Sequence, residues 1–90
     1  MQMLIAHATK DGESRTEVKP GDRFKWWDGS EWEVVNFTGE RMYSPSGFGG
    51  TPTVKCRPIA GMTDHFRKYV EPDGLVDWCG DSIAGVISRS

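Results

Sequence analysis

Cysteine is scarce in this 90-residue chain, which carries Cys56 and Cys79 and no others. Their spacing fits no zinc signature, and no Cys-His pair stands by to complete four ligands. Whether the two thiols pair with each other stays open from sequence. Long apolar runs are also missing, and nothing approaches the ~18 residues of a membrane span. The opening "MQMLIAHATK" has too short an apolar stretch, and no small-residue cleavage site, for a signal peptide. These absences set the expectation of a cytoplasmic protein with reduced thiols and no membrane partner. No run of like charge exceeds two residues, and 13 acidic against 11 basic residues leave a net charge of -2. That mixture speaks against a dominant phosphate-backbone footprint.

Aromatic residues are what the chain has in quantity: four Trp, four Phe and two Tyr. Each Trp ring can bury on the order of 200 Å², which matters because a chain this short buries only about 60 to 65 per cent of its unfolded surface. One domain spanning 1–90 is expected. Eleven Gly and five Pro punctuate the chain often enough to favour short strands and turns over long helices.

"QMLIAHA" reads as a first strand whose buried face the alternation does not settle. The polar stretch after it carries turn signals at Asp11-Gly12 and Pro20-Gly21, with room for a short strand at 16–18. The register of "RFKWWDGSEWEVV" can be derived. A two-residue turn at Asp28-Gly29 sets Phe24 opposite Glu33 and buries carboxylates with aromatics, which is costly. A three-residue loop, Trp27-Asp28-Gly29, sets Phe24 against Trp32 and Trp26 against Ser30. The other face then matches Arg23 with Glu33 and Lys25 with Glu31, pairs worth a few tenths of a kcal/mol each. Gly29 takes the left-handed position of the turn. This register sends Phe24, Trp26, Trp32 and Val34 to the core and leaves Trp27 at the bend. Cover by the fold is the commoner fate of so large a ring; presentation to a partner is the other.

"TGERMYSPSGFGGTPT" reads as a long Gly/Pro/Ser loop around Met42, Tyr43 and Phe48. Its "SGFGG" lacks the Lys-Ser/Thr pair of a phosphate-binding loop and is set aside. "TVKCRPI" alternates as a half-buried strand closed by Pro58. Residues 63–70 suit a short helix capped by Thr63 as well as a strand, and the strand-rich surroundings favour the strand. "GLVDWC" and "SIAGVIS" read as closing strands around a Gly80-Asp81 turn.

No catalytic or metal signature emerges, so no cofactor, metal or catalytic residue is assigned and a non-enzymatic role is expected. His65 beside Asp64, with two cysteines elsewhere, lacks the local signature of a Cys-His nucleophilic pair; a surface histidine and a core cysteine account for them. Two binding roles remain. For a protein partner or self-association, the candidate binding residues are Trp27, Arg41, Tyr43 and Phe48, of the types enriched in interface hot spots. For nucleic acid, Lys55, Arg57, Arg67 and Lys68 with Tyr69 or Trp27 would supply cations and a stacking platform.

The stretch "VKPGDRFKWWDGSEWEVV", residues 18–35, resembles the opening of small SH3-like barrels, with its Pro-Gly-Asp entry, Gly turn and aromatic-rich return strand. Its Asp-Gly-x-x-Trp-x-Val flavour is similar to that of short accessory proteins of bacteriophages and their actinobacterial hosts. The resemblance implies a role in binding host or virion proteins. The expected fold is all-β, with at most one short helix near 63–70: a small SH3-like barrel or a strongly bent antiparallel sheet. A protein-binding module is the first functional expectation; a nucleic-acid-binding barrel and an oligomeric virion subunit are the alternatives.

Overall fold

The computed structural model describes residues 2–43 and 50–89. Strands hold most of them: β1 (Met3–Thr9), β2 (Gly12–Val18), β3 (Arg23–Lys25), β4 (Glu31–Tyr43), β5 (Gly50–Ala60) and β6 (Val76–Cys79). Two short helices complete the order, α1 (Asp64–Arg67) between β5 and β6 and α2 (Gly80–Ile87) at the end. β3-β4-β5-β6 form an antiparallel sheet and β1-β2 a separate hairpin. The four-stranded sheet curls into half a barrel, so the all-β, bent-sheet expectation holds.

The central hairpin has the derived register: Arg23 faces Glu33, Phe24 faces Trp32 and Lys25 faces Glu31. Trp26 and Ser30 close the loop through a backbone bond of 2.8 Å, and Gly29 sits at φ +89°. The charged partner of Glu33 is a correction, because its carboxylate accepts a hydrogen bond from Arg57 of β5 rather than pairing with Arg23. Glu33 faces Arg57 on β5 as directly as it faces Arg23 on β3, and a two-strand view leaves the third strand out.

Curvature arises in β4. Val34 pairs with Cys56 and Phe37 with Val54, while Asn36 alone stands opposite the intervening Lys55. The extra residue, Val35, is a bulge that resets the phase of the strand, so that Val34 and Phe37 both face the core in a run that strict alternation would split. A second irregularity between Phe37 and Arg41 bends the strand again near Gly39, at φ +82°. The expected loop at 38–53 is therefore mostly strand, with β4 running to Tyr43 and β5 starting at Gly50. Phe48 lies outside the described residues. Pro58 does not close β5, which continues to Ala60.

The closing segment is the main correction. Residues 80–87 form a helix, not a strand. Alternation could not distinguish the two, since Ile83, Ala84 and Ile87 also fit a helical stripe. Three tertiary features favour the helix. Ile83 and Ala84 are buried, on a helix that packs against β1, β2 and β5. The Asp81 N–H donates to Thr51 Oγ1 at 2.9 Å, capping a first turn that lacks a side-chain cap of its own. A Cβ on Gly80 would meet the Pro52 carbonyl at 2.8 Å and Ile5 at 3.1 Å, so only glycine permits this approach. Residues 63–70, favoured above as strand, instead hold the one-turn helix α1.

The core gathers Ile5, Val18, Phe24, Trp32, Val34, Val54, Cys56, Val76, Trp78, Ile83 and Ala84. Trp32 is fully buried, and its Nε1 donates to Ser30 Oγ at 2.8 Å. Ser30 is itself fully buried and bonds Asp28 Oδ1 through both its N–H and its hydroxyl. The turn thus supplies the polar partner of a core indole. Ser30→Ala leaves that indole N–H without an acceptor and should cost about 1–3 kcal/mol in urea unfolding.

The Ser30 hydroxyl, with help from the Ser30 N–H and Thr63, holds the Asp28 carboxyl below its ordinary value. The stabilisation from such a depressed carboxyl is fully present above the ordinary carboxylate value and is lost as pH falls from there through the lower folded value. The acid limb of stability against pH should therefore flatten in Asp28→Asn, measured by urea midpoints below pH 5 or so.

Candidate functional site: an aromatic groove along an open strand edge

β6 ends the strand order, pairing with β5 from Cys56↔Val76 to Thr53↔Cys79. Its other edge meets no strand, and no turn or loop backbone group bonds to Val76–Cys79 among the described residues. In an antiparallel strand every second residue directs its N–H and C=O away from its partner, so this edge carries backbone groups that no other strand among the described residues pairs.

A groove of about 500 Å³ runs along that edge. β6 forms its floor; Trp26, Met42, Phe66 and Tyr69 supply most of its apolar wall, with His65 and Ser82 at the rim. The wall residues come from three separate parts of the chain. The Trp27-Asp28-Gly29 loop leaves Trp26 half-buried against Trp78, ring centroids 4.9 Å apart and nearly perpendicular. α1 brings Phe66 into stacking contact with Trp78 at 5.0 Å and edge-on to Trp32 at 5.0 Å. Tyr69, just past the helix, stays 53% exposed. Its ring meets His65 edge-on, and the Lys68 ammonium lies 5.3 Å from its centroid. Met42 arrives by the bend in β4.

Trp78 is the hub, touching Phe24, Trp26, Trp32 and Phe66. Sequence reasoning placed it on a closing strand and gave it no further part. The signal available was the alternation of Val76 and Trp78 against Asp77 and Cys79, which marks a buried aromatic on a strand but not an edge. Cys79 is half-buried in the groove; Cys56 is buried in the core, and both thiols are free. Burial raises the pKa of each thiol, with Cys56 far above the ordinary range.

A second depression of about 240 Å³ adjoins the first, sharing Trp26 and Ser82 as walls. Here Trp27 stands 69% exposed, so the expected folding back does not occur. Its face carries the Arg89 guanidinium at 5.0 Å. His7 and Asp81, both buried, line the same depression. The described hydrogen bond of the His7 ring goes through Nε2 to Thr16 Oγ1 at 2.8 Å, not to Ser82; a nucleophile–base pair would need that second contact. Among the described residues no cluster of His, Cys, Asp or Glu could hold a metal ion, and no helix is long and apolar enough to cross a membrane.

The sequence-derived binding residues are thus split. Trp27 lies beside the groove through its contact with Trp26, ring centroids 6.2 Å apart. Arg41 and Tyr43 alternate with the groove residue Met42 and so occupy the opposite face of β4. Arg41 donates to the Gly50 carbonyl across the hairpin, and Tyr43 is 80% exposed.

No family model, no curated protein and no solved structure matches this chain.

Because Trp27 is exposed while Trp32 and Trp78 are buried, Trp27→Ala should leave stability within about 0.5 kcal/mol of the parent. The tryptophan emission maximum should move to shorter wavelength as its most hydrated contributor is removed. A large loss of stability would show that the ring is held in place by the fold.

Proposed function

We propose that the chain is a non-enzymatic protein-binding module that captures an extended segment of a partner along the open edge of β6, seating an apolar or aromatic side chain of that segment in the groove. The observation that carries this reading is the coincidence of unpaired strand backbone with an aromatic wall. Backbone groups supply affinity in strand addition, and flanking pockets supply selectivity. Trp26, Phe66 and Tyr69 are rigid side chains of the kind that dominate interface energetics. The resemblance of residues 18–35 to accessory barrels of bacteriophages extends the proposal to a host or virion protein as the partner, met in the cytoplasm.

The nucleic-acid alternative has less support. Lys55 is bonded to Asp77 at 3.0 Å and lies 3.9 Å from Asp73. Arg57 is paired with Glu33, Arg67 with Asp64, and Lys68 lies over Tyr69. A phosphate footprint depends on cations that release counterions on binding, and three of these four already neutralise carboxylates.

Selection from a library of displayed peptides, followed by calorimetry, tests the proposal. Selected segments should carry apolar or aromatic residues at alternate positions, since successive residues of a strand face opposite ways. Tyr69→Ala should weaken them at least about tenfold while leaving the thermal transition in place. Alkylation of the groove thiol Cys79 should block them, with buried Cys56 unmodified in the folded protein. Peptides whose binding ignores both changes, or no selectable peptide at all, would overturn the assignment.

A further inference from the structure

Another strand edge lies on the other sheet. β2 pairs with β1 alone, in unbroken register from Thr9↔Gly12 to Met3↔Val18. α2 packs against the hairpin, and Glu13, Ser14, Arg15 and Glu17 remain exposed. Edge strands are commonly guarded by proline, by a bulge, by inward-pointing charges or by charged side chains along the edge, which repel any strand that does not complement them. β2 has no proline and no bulge. Its charges stand on the outer face and alternate in sign: Glu13, Arg15 and Glu17, followed by Lys19 beyond the strand. Within one chain Arg15 is only loosely engaged, 3.9 Å from Glu13.

We propose that two copies of the chain pair antiparallel along β2, with Thr16 facing the partner's Thr16 at a two-fold axis, to make one continuous four-stranded sheet in the order β1-β2-β2-β1. In a two-fold antiparallel pairing, opposed residues share a face of the sheet, so the axis must pass through a residue facing its own copy. That leaves few registers, and charge selects among them. Centred on Arg15, the pairing sets Arg15 against Arg15 and Glu13 against Glu17. Centred on Glu17, it sets Glu17 against Glu17 and Arg15 against Lys19. Centred on Ser14, it matches Glu13 with Arg15 but brings Asp11 against Glu17. Centred on Thr16, it sets Arg15 opposite the partner's Glu17 twice, and Glu13 opposite the partner's Lys19 twice, with no like-charged pair. Lys19 already bonds Asp22 at 2.9 Å, so the Arg15–Glu17 pairs carry the selectivity. The ladder also satisfies the outward N–H and C=O groups of a ribbon that two strands alone support poorly. β2 shares no residue with the aromatic groove, so the two surfaces stand or fall separately.

Light scattering coupled to size exclusion, and sedimentation velocity, at low and high micromolar concentration test the pairing. The parent chain should shift from monomer to dimer across that range, and the dimer should weaken as salt screens the exposed pairs. Arg15→Glu and Glu17→Arg should each weaken dimerisation about tenfold or more by placing like charges across the axis. The double exchange Arg15→Glu/Glu17→Arg should restore it, since the pairs are re-formed with reversed sign. Thermal melts of the three variants, expected to match the parent at concentrations where it is monomeric, show that the fold is kept. A monomer at every concentration, a double variant as weak as the single ones, or a dimer that responds to Tyr69→Ala instead of the β2 charges would overturn the proposal.

Discussion

Four aromatic rings meet around Trp78, and the rest of the molecule is arranged by that contact. Trp32 is carried by a central strand and Phe24 by the short strand beside it, while Trp26 and Phe66 come from a loop and a single helical turn. An indole buries more apolar area than any other side chain, and one at the edge of a curled sheet can draw elements from both sides onto a four-residue strand. α1 is too short to persist alone; Phe66, stacked on Trp78 and edge-on to Trp32, is what holds it. The same geometry leaves β6 open. Its side chains fasten the core, yet one backbone edge receives no strand, so the aromatic cluster ends in a groove rather than a closed wall.

The hairpin β1-β2 is joined to the half-barrel chiefly through α2. Gly80 lets the helix start against the Pro52 carbonyl, and Thr51 supplies the bond that its first turn needs. Ile83 and Ala84 then fill the space beside Ile5 and Val18. A barrel closed by strands would have no edges; this chain closes one side with a helix and leaves strand edges open, among them one beside aromatic rings and one lined by alternating charges. Their chemistry differs accordingly. The β6 edge suits a segment with apolar side chains, and the β2 edge suits a strand of complementary charge, such as its own copy.

The central hairpin was legible because both of its faces constrain it at once. Burying Glu31 and Glu33 is costly, burying Trp32 is favourable, and Gly29 suits the left-handed turn position, so a single register satisfies all three. Trp27 followed from the same reasoning as the residue at the bend, though whether it would be covered depended on Arg89 and the end of α2, far away in the chain. Arg41 and Tyr43 were grouped with it on residue type, and the parity of β4 sends them to the other face from Met42. Phe66 and Tyr69 were visible as apolar positions in an ambiguous segment, while the role of Trp78 depended on its strand being last in the sheet, which no local pattern encodes.

Alternation, turn chemistry and the cost of buried charge are local, and through them the amino-acid order alone determined the strand-rich class, the register around Gly29 and the division of its faces. Strand order, the bulge at Val35, the helix at the end of the chain and the groove beside Trp78 were decided only in three dimensions. Each depends on which distant groups come into contact: Cys56 and Val54 with β4, Thr51 and Pro52 with α2, Phe66 with Trp78. Such contacts are set by packing across the whole core, where a segment whose pattern suits two conformations takes the one its neighbours can bury.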